Sequence, residues 1–266
     1  MIHREATVRW RLGAVSYLNA KPLIVALEED PAVELLLDVP SRLPLLLETG
    51  QVDAALVPVV DLADPARSWS VVSDACIGCD GETLTVRVFS RMVPQNVDTL
   101  HVDGDSHTSV ALARIIWHEL YQRELRVVPF TGLEAADECQ AVLLIGDKVV
   151  NNDLLDFEIE TDLGTAWKSL TSLPFVFAVW ASARSCGCDE LAARLSLARD
   201  KGVKAAEMIA ADFGPGMGWP VTLAKRYLTT RLKFTLGDRQ RQGIARFFEF
   251  ARRYQLVPAA RGALSA

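Results

Sequence analysis

Apolar and polar positions in the first part of the chain alternate between strand-like runs and helical spacing. Val8–Ser16, rich in Val, Leu and Ala, reads as a strand; Pro22 then sits at a first helical position and Leu23–Glu29 follows as a helix. Val33–Val39 reads as a second strand. Ser41 can cap a helix from Arg42 to Thr49 that Gly50 ends, and Asp53–Val60 is a third, nearly continuous apolar strand. This β-α-β-α-β order predicts parallel strands with right-handed crossovers. Trp69–Ile77 and Thr83–Phe89 follow as strands around an Asp80–Gly81 turn. The pattern then restarts, with a strand at Leu100–Asp103, a helix over Asp105–Glu119, and strands at Arg126–Pro129 and Gln140–Ile145. Phe175–Ala181 is strongly β-prone, and the rest of the chain reads as helix over Asp189–Ala211, Val221–Phe234 and Asp238–Tyr254.

Two βαβ sets predict an α/β protein of two lobes. The strand order and the late return of the chain assign residues 1–92 and 177–266 to lobe one and 93–176 to lobe two. The crossings near Arg91 and Val176 then form a hinge, and the helical tail covers the first lobe. The competing architecture is one continuous doubly wound sheet.

Composition narrows the function. The chain has 266 residues, half of them hydrophobic and 23% charged, which suits well-packed cores rather than disorder. A net charge of −6 argues against a nucleic-acid footprint, and an anionic ligand must be attracted by a local site rather than by the field of the whole molecule. Met1–Trp10 shows no secretory signal, and the longest apolar stretches, such as Leu173–Ala183, are too short to span a bilayer, so the expectation is a cytoplasmic protein away from the membrane. An odd count of five cysteines fits reduced thiols; Cys76/Cys79 and Cys186/Cys188 could ligate zinc together, but neither pair has a His partner at finger spacing.

Four segments carry candidate chemistry. Asn19 lies where the first strand runs into the first helix, at a strand end where α/β sheets bind ligands; it either meets a ligand or caps the helix. Around Asp103–Arg114 a glycine turn leads into a hydroxyl cluster and a helix. The first amides of that helix, with Ser106, Thr108 and Ser109, form a neutral cradle for a carboxylate or phosphate, or Ser106 merely caps the helix. In Leu143–Lys148, also at a strand end, Gly146 admits close approach of a ligand, and Asp147 is a base, an orienter of a ligand hydroxyl, or a cap. Thr83 and Thr85 alternate on a strand and form polar cleft wall if they face it. Phosphate-loop, dinucleotide, zinc-protease and hydrolase-elbow motifs do not occur, and the four histidines form no ligand set. The expected activity therefore needs neither metal nor nucleotide. Trp167 and Trp180 read as core.

Taken together, these segments resemble the chorismate dehydratase family of the futalosine route to menaquinone. The shared pieces run from Arg11 to Ala181. They are Y-L-N-x-x-P-L at Tyr17–Leu23, G-C-D-G at Gly78–Gly81, S-x-T-S-V-A-L at Ser106–Leu112, L-I-G-D at Leu144–Asp147, D-L-G-x-x-W-K at Asp162–Lys168, and L-P-F-V-F-A-V-W-A at Leu173–Ala181. The resemblance implies the two-lobed fold of type II periplasmic binding proteins with a ligand cleft between lobes. It implies conversion of chorismate to 3-[(1-carboxyvinyl)oxy]benzoate by loss of water, with no cofactor and with chorismate as the small-molecule partner. Asn19 and Asp147 are then the candidate catalytic residues, and Thr83, Thr85, Ser106, His107, Thr108, Ser109 and Gly146 candidate substrate contacts. The sequence departs from the family at His107, where Arg is expected, so no Arg–carboxylate contact is implied there. The S-x-C-P-N-D opening of the sister dihydroxynaphthoate synthase is absent. A non-catalytic carboxylate binder on the same fold is the alternative from another class.

Overall fold

The structure is a computed structural model that describes residues 10–130, 132, 139–151, 157–183 and 188–258. Its strands are β1 (Trp10–Val15), β2 (Val33–Asp38), β3 (Ala54–Pro58), β4 (Ser70–Cys79), β5 (Val86–Ser90), β6 (Thr99–Val102), β7 (Arg126–Pro129), β8 (Ala141–Ile145), β9 (Ile159–Asp162), β10 (Phe175–Ser182) and β11 (Leu232–Thr235). The helices are α1 (Lys21–Glu28), α2 (Leu43–Glu48), α3 (His107–Tyr121), α4 (Leu163–Thr171), α5 (Cys188–Lys204), α6 (Ala206–Phe213), α7 (Val221–Arg226) and α8 (Asp238–Arg253).

These strands form two sheets, in the orders β11-β4-β10-β3-β1-β2 and β7-β6-β8-β5-β9, so the single continuous sheet is excluded. As the alternating pattern predicts, β1 pairs in parallel with β2 and β3. The β-prone run after residue 174 does carry the chain back, because β10 lies antiparallel between β3 and β4 in the first sheet.

The expected crossing near Arg91 falls earlier. β5 pairs with β8 and β9 in the second sheet, so the chain changes lobes between Cys79 and Val86. Here Leu84 has φ +70°, an uncommon conformation for a branched residue. The amides of Thr83 and Leu84 donate to the Asp162 carboxylate, which also accepts from Thr165 N at 2.9 Å to cap α4. The Asp162–Lys168 motif is thus a clamp on the crossing, with its Trp167 fully buried as expected.

The tail also departs from expectation. The span read as one helix after Val221 is α7, a π-helical turn over Tyr227–Arg231, and β11, whose alternating burial shows a short edge strand. α5 packs on α1 in the first lobe. The last helix, α8, lies against both lobes, and its Ile244 packs on the first-lobe cluster of Cys76, Val176, Val179 and Leu236. Its Phe247 and Phe250 meet Trp167 in the core that contains α3 and α4, and Tyr254 bonds Glu119 of α3. Among the described residues no helix is long and apolar enough to cross a membrane.

Candidate active site

Between the sheets lies a cavity of about 50 Å³. Its first-lobe wall comes from the carboxyl ends of β1 and β3 and the turn after β1, which supply Val15, Tyr17, Asn19 and Pro58; Val86, Ile145, Gly146, Ser106 and Ser109 close the other side. That volume holds one or two waters. A ring-bearing dicarboxylate needs more, so the lobes must part for such a ligand to enter. Asn19 reaches the cavity because Leu18–Ala20 forms a 3-10 turn that carries the chain from β1 into α1. The Asn19 Oδ1 atom is buried there without a hydrogen-bond partner.

The hydroxyl cluster divides. Ser106 caps α3, its Oγ accepting from Ser109 N at 3.2 Å and donating to Ser109 Oγ at 2.9 Å, and both serines line the cavity at the positive end of a fifteen-residue helix. The Thr108 side chain is buried and does not line it; its Oγ1 accepts from Val60 N at 3.2 Å.

Asp147 joins the lobes. Its carboxylate accepts from Leu18 N at 3.3 Å and from the Trp219 indole at 2.9 Å, and it lies outside the cavity lining. Burial pushes its pKa up, with the two donors pulling the other way. Tyr17 donates to Asp105 at 2.7 Å, and Lys148 pairs with Asp103 and Asp105 at 2.7 and 2.5 Å, which offsets their negative charge beside the serines. Burial and then Asp105 raise the Tyr17 phenol well above its ordinary range, so it stays protonated. Gly146, with φ +58°, accommodates the Tyr17 ring: a methyl there would sit 2.7 Å from Cδ2. The close approach expected of a ligand at Gly146 is therefore made by the opposite lobe.

Residues 10–253 match the family model for menaquinone biosynthesis. The chain belongs to that family. It is 28% identical over 260 residues, 90% of this chain and 93% of the other, to the chorismate dehydratase of Thermus thermophilus. A crystal structure from Archaeoglobus fulgidus superposes with a TM-score of 0.73 at 15% identity, covering 94% of this chain and 99% of that one. The periplasmic aliphatic sulphonate binding protein of Escherichia coli gives 0.62 at 15% identity, with 94% of each chain covered. The family member thus has the two-lobed periplasmic-binding-protein-like α/β fold, with its cavity between the lobes.

Several expected positions lie elsewhere. Thr83 and Thr85 precede β5 rather than alternating on it, and neither lines the cavity. Both are buried; Thr85 Oγ1 lies 2.6 Å from the Tyr227 hydroxyl, and Thr83 Oγ1 has no partner. Cys76 and Cys79 enter separate apolar clusters, and burial pushes the Cys76 thiol up to about 12 and Cys79 higher. Cys186 lies outside the described residues. Among those residues no group of three or more His, Cys, Asp or Glu is placed to hold a metal. Trp219 and Tyr227 escaped the sequence reading, because nothing local to the tail marks them as partners of Asp147 and Thr85.

His107 faces away from the cavity, into a groove shared with Asp61, Asp64, Arg67 and Arg114. Its Nδ1 lies 3.0 Å from Asp61 Oδ2 across the lobe boundary. The Asp61 bond raises the His107 pKa, while burial and Arg67 oppose the rise. A raised folded-state pKa means that the added stability is full below the ordinary histidine range and is lost as pH rises through the raised value. Thermal stability should therefore decline as pH rises above the ordinary histidine range, and His107→Gln should flatten that part of the profile. An identical profile in the variant would show that the contact contributes nothing.

Proposed function

We propose that this chain is a chorismate dehydratase, a lyase that takes a proton from C3 and hydroxide from C4 of chorismate to leave 3-[(1-carboxyvinyl)oxy]benzoate and water. The observation that carries the reading is the chemistry of the cavity wall. Serine hydroxyls at a helix N-terminus face an unpartnered carboxamide oxygen, and Tyr17, held protonated, is the one titratable side chain among the described lining residues. Such a wall binds a carboxylate through neutral donors and brings no base of its own.

The substrate then supplies the base. Its enolpyruvyl carboxylate removes the C3 proton while Asn19 holds the pose, and hydroxide leaves C4 as the ring becomes aromatic. Aromatisation makes the reaction downhill, so the protein contributes orientation and stabilisation of charge spreading toward the ring carboxylate. Ser106 and Ser109 receive that carboxylate. Closure of the lobes excludes water and strengthens these contacts. Asp147 has both donors of the opposite lobe on its carboxylate, which favours a role in holding the lobes closed over one as base.

The test is incubation of the purified chain with chorismate, following the aromatic product by its ultraviolet absorbance and mass. The expected result is stoichiometric loss of water without added metal or nucleotide. Tight binding with no product would make the chain a carboxylate binder, and activity lost on chelation and restored by one divalent ion would refute the cofactor-free mechanism.

A further inference from the structure

We infer that Tyr17 is an autoinhibitory latch: its ring fills the place beside Gly146 that a ligand ring would take, its hydroxyl ties the first lobe to Asp105 of the second, and the substrate must displace both contacts to enter. The inference deepens the dehydratase reading of the same cavity and rests on it for the identity of the ligand.

Tyr17 opens the turn between β1 and α1, and it both lines the cavity and bonds the opposite lobe, its hydroxyl donating to Asp105 at 2.7 Å. The other ties across the boundary, made by Asp147, Asp61 and Thr108, use side chains outside the cavity lining. Asp105 is held ready by its own lobe. Lys148 Nζ lies 2.5 Å from its carboxylate and 2.7 Å from that of Asp103, and the Asp105 amide donates to Asp103 Oδ1 at 3.0 Å. The Asp105 carbonyl also accepts from Ser41 N of the first lobe at 3.0 Å. One residue of the second lobe thus takes two bonds from the first.

With these contacts made, the cavity of about 50 Å³ holds one or two waters and excludes a ring-bearing dicarboxylate. Part of the missing space is taken by Tyr17 itself. Gly146 has no side chain, and three ring carbons of Tyr17 would lie 2.7, 2.9 and 3.1 Å from a methyl placed there. The tyrosine ring and a substrate ring therefore compete for one notch, and closure around the substrate stops short of this shut form. A form that excludes the ligand lowers apparent affinity in proportion to the fraction of molecules it holds. Weakening the latch should therefore tighten binding, the opposite of what loss of a ligand contact does.

The experiment measures binding of 3-[(1-carboxyvinyl)oxy]benzoate, the product, to the full-length chain by calorimetry, together with hydrogen exchange at the Leu18 amide. That amide donates to Asp147 across the boundary, so it exchanges when the lobes part. Tyr17→Phe keeps the ring and removes the hydroxyl. Asp105→Ala removes the receiving carboxylate and takes nothing from the cavity lining. In both variants Leu18 should exchange at least about five times faster and Kd should fall roughly three- to ten-fold, the scale of one lost hydrogen bond to a charged group. The amides of β10, inside the first sheet, should keep their wild-type exchange and show that the fold is intact. Tyr17→Phe, the milder change, decides the question if Asp105→Ala fails to fold. Unchanged Leu18 exchange, or a Kd that stays level or rises, overturns the inference. If the wild-type chain binds neither chorismate nor the benzoate, the dehydratase reading fails, and Leu18 exchange still decides whether Tyr17 latches the lobes.

Discussion

Asn19→Ala is expected to lower chorismate turnover by roughly 10²–10³-fold, the loss seen when one preorganised polar group is removed from a reaction site. Asn19 stands in the short turn after β1, the strand paired with both β2 and β3, so the surrounding backbone should survive the change. Circular dichroism and the melting temperature should therefore move little while kcat collapses. Asn19→Asp keeps the shape and places a carboxylate against the substrate's own, so it should also do harm. Asp147→Asn is the control with the opposite expectation. It retains one acceptor for the Trp219 indole and loses only part of the contact to Leu18 N, so activity should stay within about ten-fold of wild type, on the scale of one weakened hydrogen bond. Abolished turnover with binding intact in Asp147→Asn would make Asp147 the base and the substrate-assisted route wrong.

The largest effect on stability is expected at Gly202. It sits in α5 against the first turn of α1, and a methyl there would lie 1.8 Å from the Pro22 carbonyl oxygen and 2.5 Å from its carbon. Both atoms are backbone, so no rotamer change relieves the overlap and the helices must separate. Alanine gains about 1 kcal/mol over glycine in helix propensity. Forcing two helices apart costs about 3 kcal/mol or more, so the clash wins. The net cost is then about 2 kcal/mol, and at about 2–4 °C per kcal/mol for a chain of this size the melting temperature should fall by roughly 4–8 °C. Pro22 follows Asn19 by three positions, so the same substitution should shift the active site and lower kcat. A Gly202→Ala protein that melts at or above the wild-type temperature would show that α1 and α5 tolerate separation.

Much of the molecule was legible from local pattern. The alternation through residue 60 predicts three parallel strands, because a buried strand and an amphipathic helix each leave a short-range signature. The segments holding Asn19, Ser106 and Gly146 were visible for the same reason. Each marks the change from strand to helix, where glycine, serine and asparagine satisfy or relax the backbone. The Ser106 cap needs only the spacing to Ser109. What the local pattern missed was short or distant. β11 has four residues, too few to set a period against the helices around it. β5 changes lobes early because its partners are β8 and β9, chosen by pairing and not by its own composition.

The sequence by itself determined the α/β class, the parallel start and which strand ends carry polar groups, since these follow from periodicity within a dozen residues. Only the tertiary structure decided which polar groups meet. Thr108 turns to Val60, His107 to Asp61, and Asp147 to Leu18 and Trp219, so three candidates for ligand contact bind the opposite lobe instead. The physical reason is that a buried polar group takes whichever partner packing brings within reach. In a two-lobed chain those partners come from segments that pack together only once both sheets have formed.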